Sequence, residues 1–345
     1  MTRLVIKLWS LAAAVLFGCL PIHAQAPPSA QQKPIPLRVS LGDVDITKIV
    51  GVVALEEGIY KKNGLAVDQW VTTGAAEIAR GNGIMVPDQY VRAGQADVGI
   101  GGGTPLVVSV ATNVDSRDRV ILGSLDHVVH WWIVAKPEIK RLEDLKGKRI
   151  GYSGAGAMTH FIILELARRM GWHPTMDIAP MSNAISVDNL VNDQVDAFIC
   201  PGMAMVEFKA KGIPLLADLR KEWGDVPIGG SGLTSTRKFV RENPEAVRRF
   251  MKSIVEAIAL MKQNREVAFR ALTKWYGVSD REKLAVNYGV ADTLPRKPYP
   301  AVDGIKKTMA LYDSLQMRKH KPEDFYDDRF VRELDESGFI DGLYR

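Results

Sequence analysis

Apolar and polar positions alternate along the chain in short blocks. Leu37 to Leu41 alternates with period two and predicts a first strand, which enters the polar loop Gly42-Asp43-Val44-Asp45. Ile49 to Tyr60 has helical spacing, and Lys61-Lys62-Asn63-Gly64 stops it with glycine at the end. Leu65 to Val71 predicts a second strand. Gly81, Gly83 and Pro87 break any long helix between Ala75 and Gly94, so Pro87 to Ala93 is read as one short helix. Ala96 to Ile100 predicts a strand opening into Gly101-Gly102-Gly103-Thr104-Pro105. Thr104 as cap and Pro105 in the first turn then start an apolar helix over Leu106 to Ala111. Val120 to Leu125 and the aromatic, β-branched run Val128 to Ala135 read as strands.

The stretch Leu142 to Gly171 organises the second half. Lys148 to Tyr152 reads as a strand, Ser153 to Ala157 as a loop of small residues, and Phe161 to Met170 as a helix. Strand, tight loop and helix start together present unpaired backbone N–H groups to a ligand. The competing reading is a plain βα turn. The loop lacks the GK[ST] ending of a nucleotide P-loop, and Gly151-x-x-Gly154-x-Gly156 misses the dinucleotide pattern. Strands follow at Ile178–Met181, Val195–Ile199 and Ile213–Ala217, with helices at Val187–Asn192 and Met203–Lys211. Pro227 to Thr234 reads as a glycine-rich connection. Pro244, capped by Asn243, opens the clearest helix, with Val247, Phe250, Met251, Ile254, Val255 and Ile258 in one stripe. Further helices reach Asp292, and another covers Val302 to Leu315. Short charged elements from Lys321 to Tyr344 are expected to pack over the first domain.

One stretch echoes another at an offset of 99. Gln95-Ala-Asp97-Val-Gly-Ile-Gly-Gly-Gly103 resembles Gln194-Val-Asp196-Ala-Phe-Ile-Cys-Pro-Gly202. Each reads as an aspartate, an apolar strand and a tight turn. Ligands of open α/β sheets sit beyond the carboxyl ends of the strands, so two such units facing each other make a cleft.

The N-terminus sets the compartment. Arg3 and Lys7 precede an apolar core, Leu8 to Leu20, and Ala24 offers a small residue for cleavage before Gln25. This reads as a secretory signal over 1–24, too short for a membrane span, followed by a Pro-rich leader over 25–36. Leu16-Phe17-Gly18-Cys19 keeps a lipoprotein anchored through Cys19 as the alternative to a soluble exported protein. The roughly 320 residues that remain suffice for two domains. Taking Arg3 and Lys7 from the formal charge of +5 leaves +3, with basic residues scattered, so nucleic acid is not an expected partner. With Cys19 in the signal, Cys200 stands alone in the mature chain and reads as a buried strand-end residue.

Four marks carry a resemblance: Val53-Ala-Leu-Glu-Glu-Gly-Ile-Tyr-Lys-Lys-Asn-Gly-Leu65, Gly94-Gln-Ala-Asp97-Val-Gly99, Asp144-Leu-Lys-Gly-Lys-Arg-Ile-Gly151 and Asn243-Pro-Glu-Ala-Val247. In order and spacing the chain resembles the periplasmic solute-binding proteins of ABC importers, of the nitrate/sulfonate/taurine type, the NMT1/THI5-like family. The resemblance implies an α/β fold of the type II periplasmic binding protein class, two-lobed with two crossovers. Lobe 1 would comprise 37–124 plus 229–345, and lobe 2 would comprise 125–228. It further implies a periplasmic monomer that captures a small organic solute, carboxylate- or sulfonate-like, and delivers it to an inner-membrane ABC permease. The alternatives are a pyrimidine or thiamine-precursor binding protein, or a periplasmic ligand sensor. Cys200 beside Pro201 lacks the cysteine-rich motif of the pyrimidine synthases of this superfamily.

Carried onto this chain, the family's strand-end pocket places Asp43, Thr104, Gly154, Ala155, Thr159, Pro201 and Met203 against the solute. Trp131 or Trp132 would stack on a planar part of it. Thr104 and Thr159 have helix capping as their structural alternative, and Met203 has core packing. A buried carboxylate at Asp43 would favour an amine-bearing solute and oppose a sulfonate. An anionic or acceptor group is expected instead at the helix start, Gly154 to Thr159, where no Arg or Lys intervenes. His127 and His130 would lie on opposite faces of one strand, so no metal site is expected with His160. Ser153 lies in Gly151-Tyr-Ser-Gly-Ala rather than in a G-x-S-x-G elbow, and H-E-x-x-H is absent. No catalytic residue and no cofactor are therefore assigned.

Overall fold

The computed structural model describes residues 33–345 apart from Pro201. The signal segment 1–24, the leader up to residue 32, Cys19 and Pro201 lie outside the described residues. Eleven strands are described. They are β1 (Ile35–Leu41), β2 (Leu65–Thr72), β3 (Val91–Arg92), β4 (Val98–Ile100), β5 (Arg119–Ser124), β6 (Trp132–Ala135), β7 (Arg149–Tyr152), β8 (Ala179–Ser182), β9 (Ala197–Cys200), β10 (Leu215–Asp218) and β11 (Gly232–Thr236). They form two sheets with the orders β3-β2-β1-β4-β11-β5 and β10-β6-β9-β7-β8.

In the first sheet β1 pairs in parallel with β2 and β4, as period-two strands joined through helices should. In the second, β7 pairs in parallel with β8 and β9, while β6 runs antiparallel to β9. The chain leaves the first sheet after Ser124, enters the second at Trp132, leaves it after Asp218 and returns at Gly232. The two crossing segments are stitched to each other. Val128 bridges Pro227, Val129 N–H donates to Val226, and Ile228 N–H donates to His127.

The internal echo is structural. Asp97 and Asp196 stand just before β4 and β9 and do the same work. Asp97 Oδ2 accepts the backbone N–H of Arg38 on β1 at 2.9 Å, and Asp196 Oδ2 accepts that of Arg149 on β7 at 2.9 Å. Each aspartate also receives its arginine's guanidinium, at 2.6 and 2.8 Å, and returns a backbone N–H to that arginine's carbonyl. Each pair ties the start of one strand, β4 or β9, to its parallel neighbour, β1 or β7, with charge-assisted bonds.

The helix Pro244–Gln263 starts on its proline as expected, and its whole stripe from Val247 to Ile258 is buried. Helix Arg329–Glu336 packs on it through Phe330 and Val331. Cys200 is buried at the end of β9.

Several local expectations are corrected. The run Val128–Ala135 is a strand only from Trp132, because Val128 and Val129 are spent on the returning segment. That segment ends in β11, a central strand of Gly, Leu, Ser and Thr that lacks the usual β-branched apolar signature. Pro87–Ala93 holds a 3₁₀ turn, Asp88–Tyr90, and then β3, whereas Thr73–Gly81 is a full helix. The helix after β4 begins at Gly103 behind the left-handed Gly102, so Thr104 lies inside it and does not cap it. Asn243 makes no side-chain cap and instead donates Nδ2 to Phe239. Ile49–Tyr60 is two helices, broken at Gly58 with φ +69. Among the described residues no helix is long and apolar enough to cross a membrane.

Candidate functional site

A cavity of about 380 Å³ lies between the two sheets. Its walls come from the carboxyl ends of strands and from both crossings. Asp43, Val44, Asp45 and Lys48 follow β1, and Thr72, Ala75, Ile78, Ala79, Asn82 and Ile84 follow β2. Gly102 and Pro105 follow β4; Asp126, His130 and Trp131 come from the outgoing crossing. Ser153, Ala157, Met158 and Thr159 follow β7, Ile185 follows β8 and Ala204 follows β9. Ile228, Gly230 and Ser231 come from the return.

The polar part centres on Lys48, buried within the apolar helix Ile46–Glu56. Its ammonium lies 2.8 Å from Asp43 Oδ1, 2.5 Å from Ser231 Oγ and 3.0 Å from Thr47 Oγ1. Asp126 receives the backbone N–H and the hydroxyl of Ser231, and its Oδ2 is 3.6 Å from His130 Nε2. Asp45 caps the helix by accepting Thr47 N–H at 3.0 Å. Burial works against the Lys48 charge, but Asp43, Asp45 and Asp126 outweigh it and hold its pKa above the usual lysine value. Burial raises the Asp43 carboxyl; Lys48 pulls it back, and Asp45 adds to the rise. Both shifts point upward, Lys48 because three carboxylates surround one ammonium and Asp43 chiefly because of burial.

The opposite wall is the turn after β7. Thr159 Oγ1 accepts Ser153 N–H at 2.9 Å and lies 2.7 Å from Ser153 Oγ, tying the turn to the first turn of helix Met158–Met170. The residue before that helix, Ala157, carries only a methyl group and cannot cap it, so the first N–H groups are left for another acceptor. Gly156 N–H donates to His160 Nδ1 at 3.1 Å, and the ring stacks on Tyr152. Burial lowers the His160 pKa. Gly156, with φ +78, lies against Val108, where a side chain would crowd that residue.

Asp43, Trp131 and Thr159 therefore line the cavity. Thr104 is buried beneath it beside Gly229, and Met203 is core. Gly154 and Ala155 stand off the wall, while their neighbours Ser153, Ala157 and Met158 form it. The three histidines are apart in role. His127 Nε2 meets Tyr299 O, His130 meets Asp126, and His160 meets Gly156 and Tyr312. Among the described residues no group of three or more His, Cys, Asp or Glu is placed to hold a metal ion. Sequence reasoning missed Lys48, Asn82, Asp126 and Ser231. Lys48 alone carried a signal, a lysine inside Ile46-Thr-Lys-Ile-Val-Gly-Val-Val-Ala54.

Two α/β sheets, two crossings and a cavity at the strand ends define a periplasmic-binding-protein fold. The chain belongs to the NMT1/THI5-like family, whose model matches residues 47–268. A relative from Brucella abortus (strain 2308) is 26% identical over 248 residues, 71% of this chain and 72% of its own. The periplasmic aliphatic sulphonate binding protein SsuA from Escherichia coli superposes with a TM-score of 0.56 at 20% identity, covering 89% of this chain and 94% of that one. The desulfurization enzyme DszB shares the fold, with a TM-score of 0.58, 16% identity, and 88% and 99% coverage. The family and its structural neighbours are mostly solute-binding proteins.

Proposed function

We propose that the protein is the extracytoplasmic solute-binding component of an ABC importer. It takes a small organic solute into the cavity between its two lobes, 37–124 plus 229–345 and 125–228, and hands it to a membrane permease. The observation that carries this reading is the cavity itself, walled jointly by both sheets and both crossings. Its volume suits a small molecule, and most of its lining is apolar with few polar groups, the composition of a binding pocket. A carboxylate or comparable acceptor group would meet the uncapped helix start at Ala157 to Thr159. Trp131 offers a flat apolar face.

A non-catalytic role is supported by the state of Cys200. Its thiol is buried and burial pushes its pKa well above the usual value, the reverse of an activated nucleophile. The export signal supports a soluble periplasmic location, with a lipid anchor on Cys19 as the alternative.

The test is a calorimetric or thermal-shift screen of small organic solutes, repeated on Ala157→Trp. Ala157 is partly exposed and lines the cavity at an ordinary φ of −68, so the indole fills the cavity without straining the backbone. Gly154 is unsuited to this test, because its φ of +155 disfavours any side chain. The expected result is loss of at least 90% of binding with an unchanged circular dichroism spectrum. Full affinity in a folded Ala157→Trp protein would place the solute elsewhere.

A further inference from the structure

The cavity's charge bears on the class of solute, granted that the cavity is the solute site. Among the described residues that wall it, Lys48 is the one lysine or arginine. An ammonium has three protons to donate. Lys48 has three acceptors within the protein: Asp43 Oδ1, Ser231 Oγ and Thr47 Oγ1. No proton is left for an anionic solute. Against this single charge stand Asp43, Asp45 and Asp126, so the wall stays negative even with His130 protonated. Asp45 is occupied as a helix cap, and Asp126 is occupied by Ser231. Asp43 differs, since 46% of its side-chain surface is open although one oxygen meets Lys48.

Asn82 supplies a second, independent observation. It lines the same cavity and is 2% exposed. Its Nδ2 donates to Ile78 O at 2.9 Å and to Ile185 O at 3.0 Å, which fixes the amide's orientation. Its Oδ1 accepts nothing. A buried acceptor without a donor is costly and calls for a partner. Among the described residues, the cavity lining offers an open carboxylate and an orphan acceptor, and its one lysine is already paired.

We infer that the solute carries a protonated amine, which donates to Asp43, and a further N–H or O–H that donates to Asn82. Its body packs against the apolar wall around Ile78, Ile84 and Trp131. This deepens the solute-binding reading and rests on it. A sulfonate or carboxylate without an amine has no cation to meet on this wall.

The experiment uses the exported chain and matched pairs of probes, each amine beside its desamino analogue: 4-aminobutyrate with butyrate, taurine with ethanesulfonate, and 2-phenylethylamine with ethylbenzene. Affinities come from titration calorimetry, preceded by a thermal-shift ranking. The expected result is at least tenfold tighter binding of the amine within a pair, and loss of that preference in Asp43→Asn. The comparison within the wild-type chain stands even where that variant fails to fold. Equal or tighter binding of the desamino analogue, abolished by Ala157→Trp, overturns the amine assignment and leaves the solute cleft intact. Binding that survives Ala157→Trp, or no binding by any probe, counts against the cleft reading itself.

Discussion

Glu165 gives the most quantitative handle on how the two halves are joined. Its carboxylate is fully buried in helix Met158–Met170, beside the second sheet. It accepts from Arg168 at 2.7 and 2.8 Å and from Arg169 at 2.8 Å. Lys307, on helix Val302–Leu311, reaches it at 3.0 Å from the part of the chain that follows the return crossing. Burial alone would raise the Glu165 pKa, but Arg168, Lys307 and Arg169 outweigh it and hold it at about 2, against an ordinary 4.5. A tenfold change in proton affinity corresponds to about 1.4 kcal/mol, so the depressed value is worth at most about 3 kcal/mol. The half-exposed Arg168 screens part of this. Because the folded pKa lies below the unfolded one, the contribution is complete above pH 4.5 and is lost as pH falls toward 2. By the same linkage it shrinks by about 1.4 kcal/mol between pH 7 and pH 3.5. Glu165→Gln should therefore destabilise the protein by up to about 3 kcal/mol at pH 7, and by about 1.4 kcal/mol less than that at pH 3.5. Urea unfolding of both proteins at the two pH values, at fixed ionic strength, measures the difference. A difference that is the same at both values would mean that shape, not charge, sets the role of Glu165, and would refute the reasoning.

Gly304→Ala should lower the urea midpoint, with a loss of about 1–3 kcal/mol or more, because its Cβ would sit 1.8 Å from the carbonyl oxygen of Ile228 on the return crossing; an unchanged midpoint would show that the segment can shift freely. Solution scattering should give a smaller radius of gyration with saturating solute than without, as expected of hinge closure around a ligand. Lys307→Ala with Lys283→Ala, which removes the ion pairs to Glu165 at 3.0 Å and to Glu207 at 2.7 Å, should reduce affinity by a few-fold without touching the cavity. N-terminal sequencing of the exported protein should read from Gln25, and a diacylglyceryl group on Cys19 would replace that reading with membrane tethering.

Much of the scaffold was legible because it follows from periodicity. The alternating run at Leu37–Leu41, the stripe from Val247 to Ile258 and the unit from Lys148 to Met170 each carry one period and clear stops. What was not legible depended on partners distant in sequence. β11 is made of small and polar residues where its neighbours come close: a side chain on Gly99 of β4 would meet Thr234 Oγ1 at 2.9 Å, and one on Gly232 would meet Gly103 Cα at 3.2 Å. The candidate site was half visible. Asp43 and Thr159 stand at strand ends where such pockets form, but Lys48, Asp126 and Ser231 converge from positions up to 183 residues apart. No local spacing encodes that meeting.

The repeated aspartates bear on why the candidate site lies at the carboxyl ends of the strands. Asp97 and Asp196, just before β4 and β9, lock onto Arg38 within β1 and Arg149 at the start of β7, so the amino ends of β4 and β9 are occupied. Beyond the carboxyl ends lie Gly42-Asp43, Gly102, Ser153 and, in the helix after β9, Ala204, which wall the cavity. The polar wall is also the junction of the two crossings. Ser231 lies on the return, donates its backbone N–H to Asp126 on the outgoing segment and accepts from Lys48. Lys48 in turn holds Asp43, the carboxylate most open to the cavity. A solute that draws Asp43 away from Lys48 changes the charge facing Ser231 and Asp126 at the same moment. The candidate site and the two crossings thus share residues, so on the solute-binding reading one lysine links the cavity to the segments that join the two sheets.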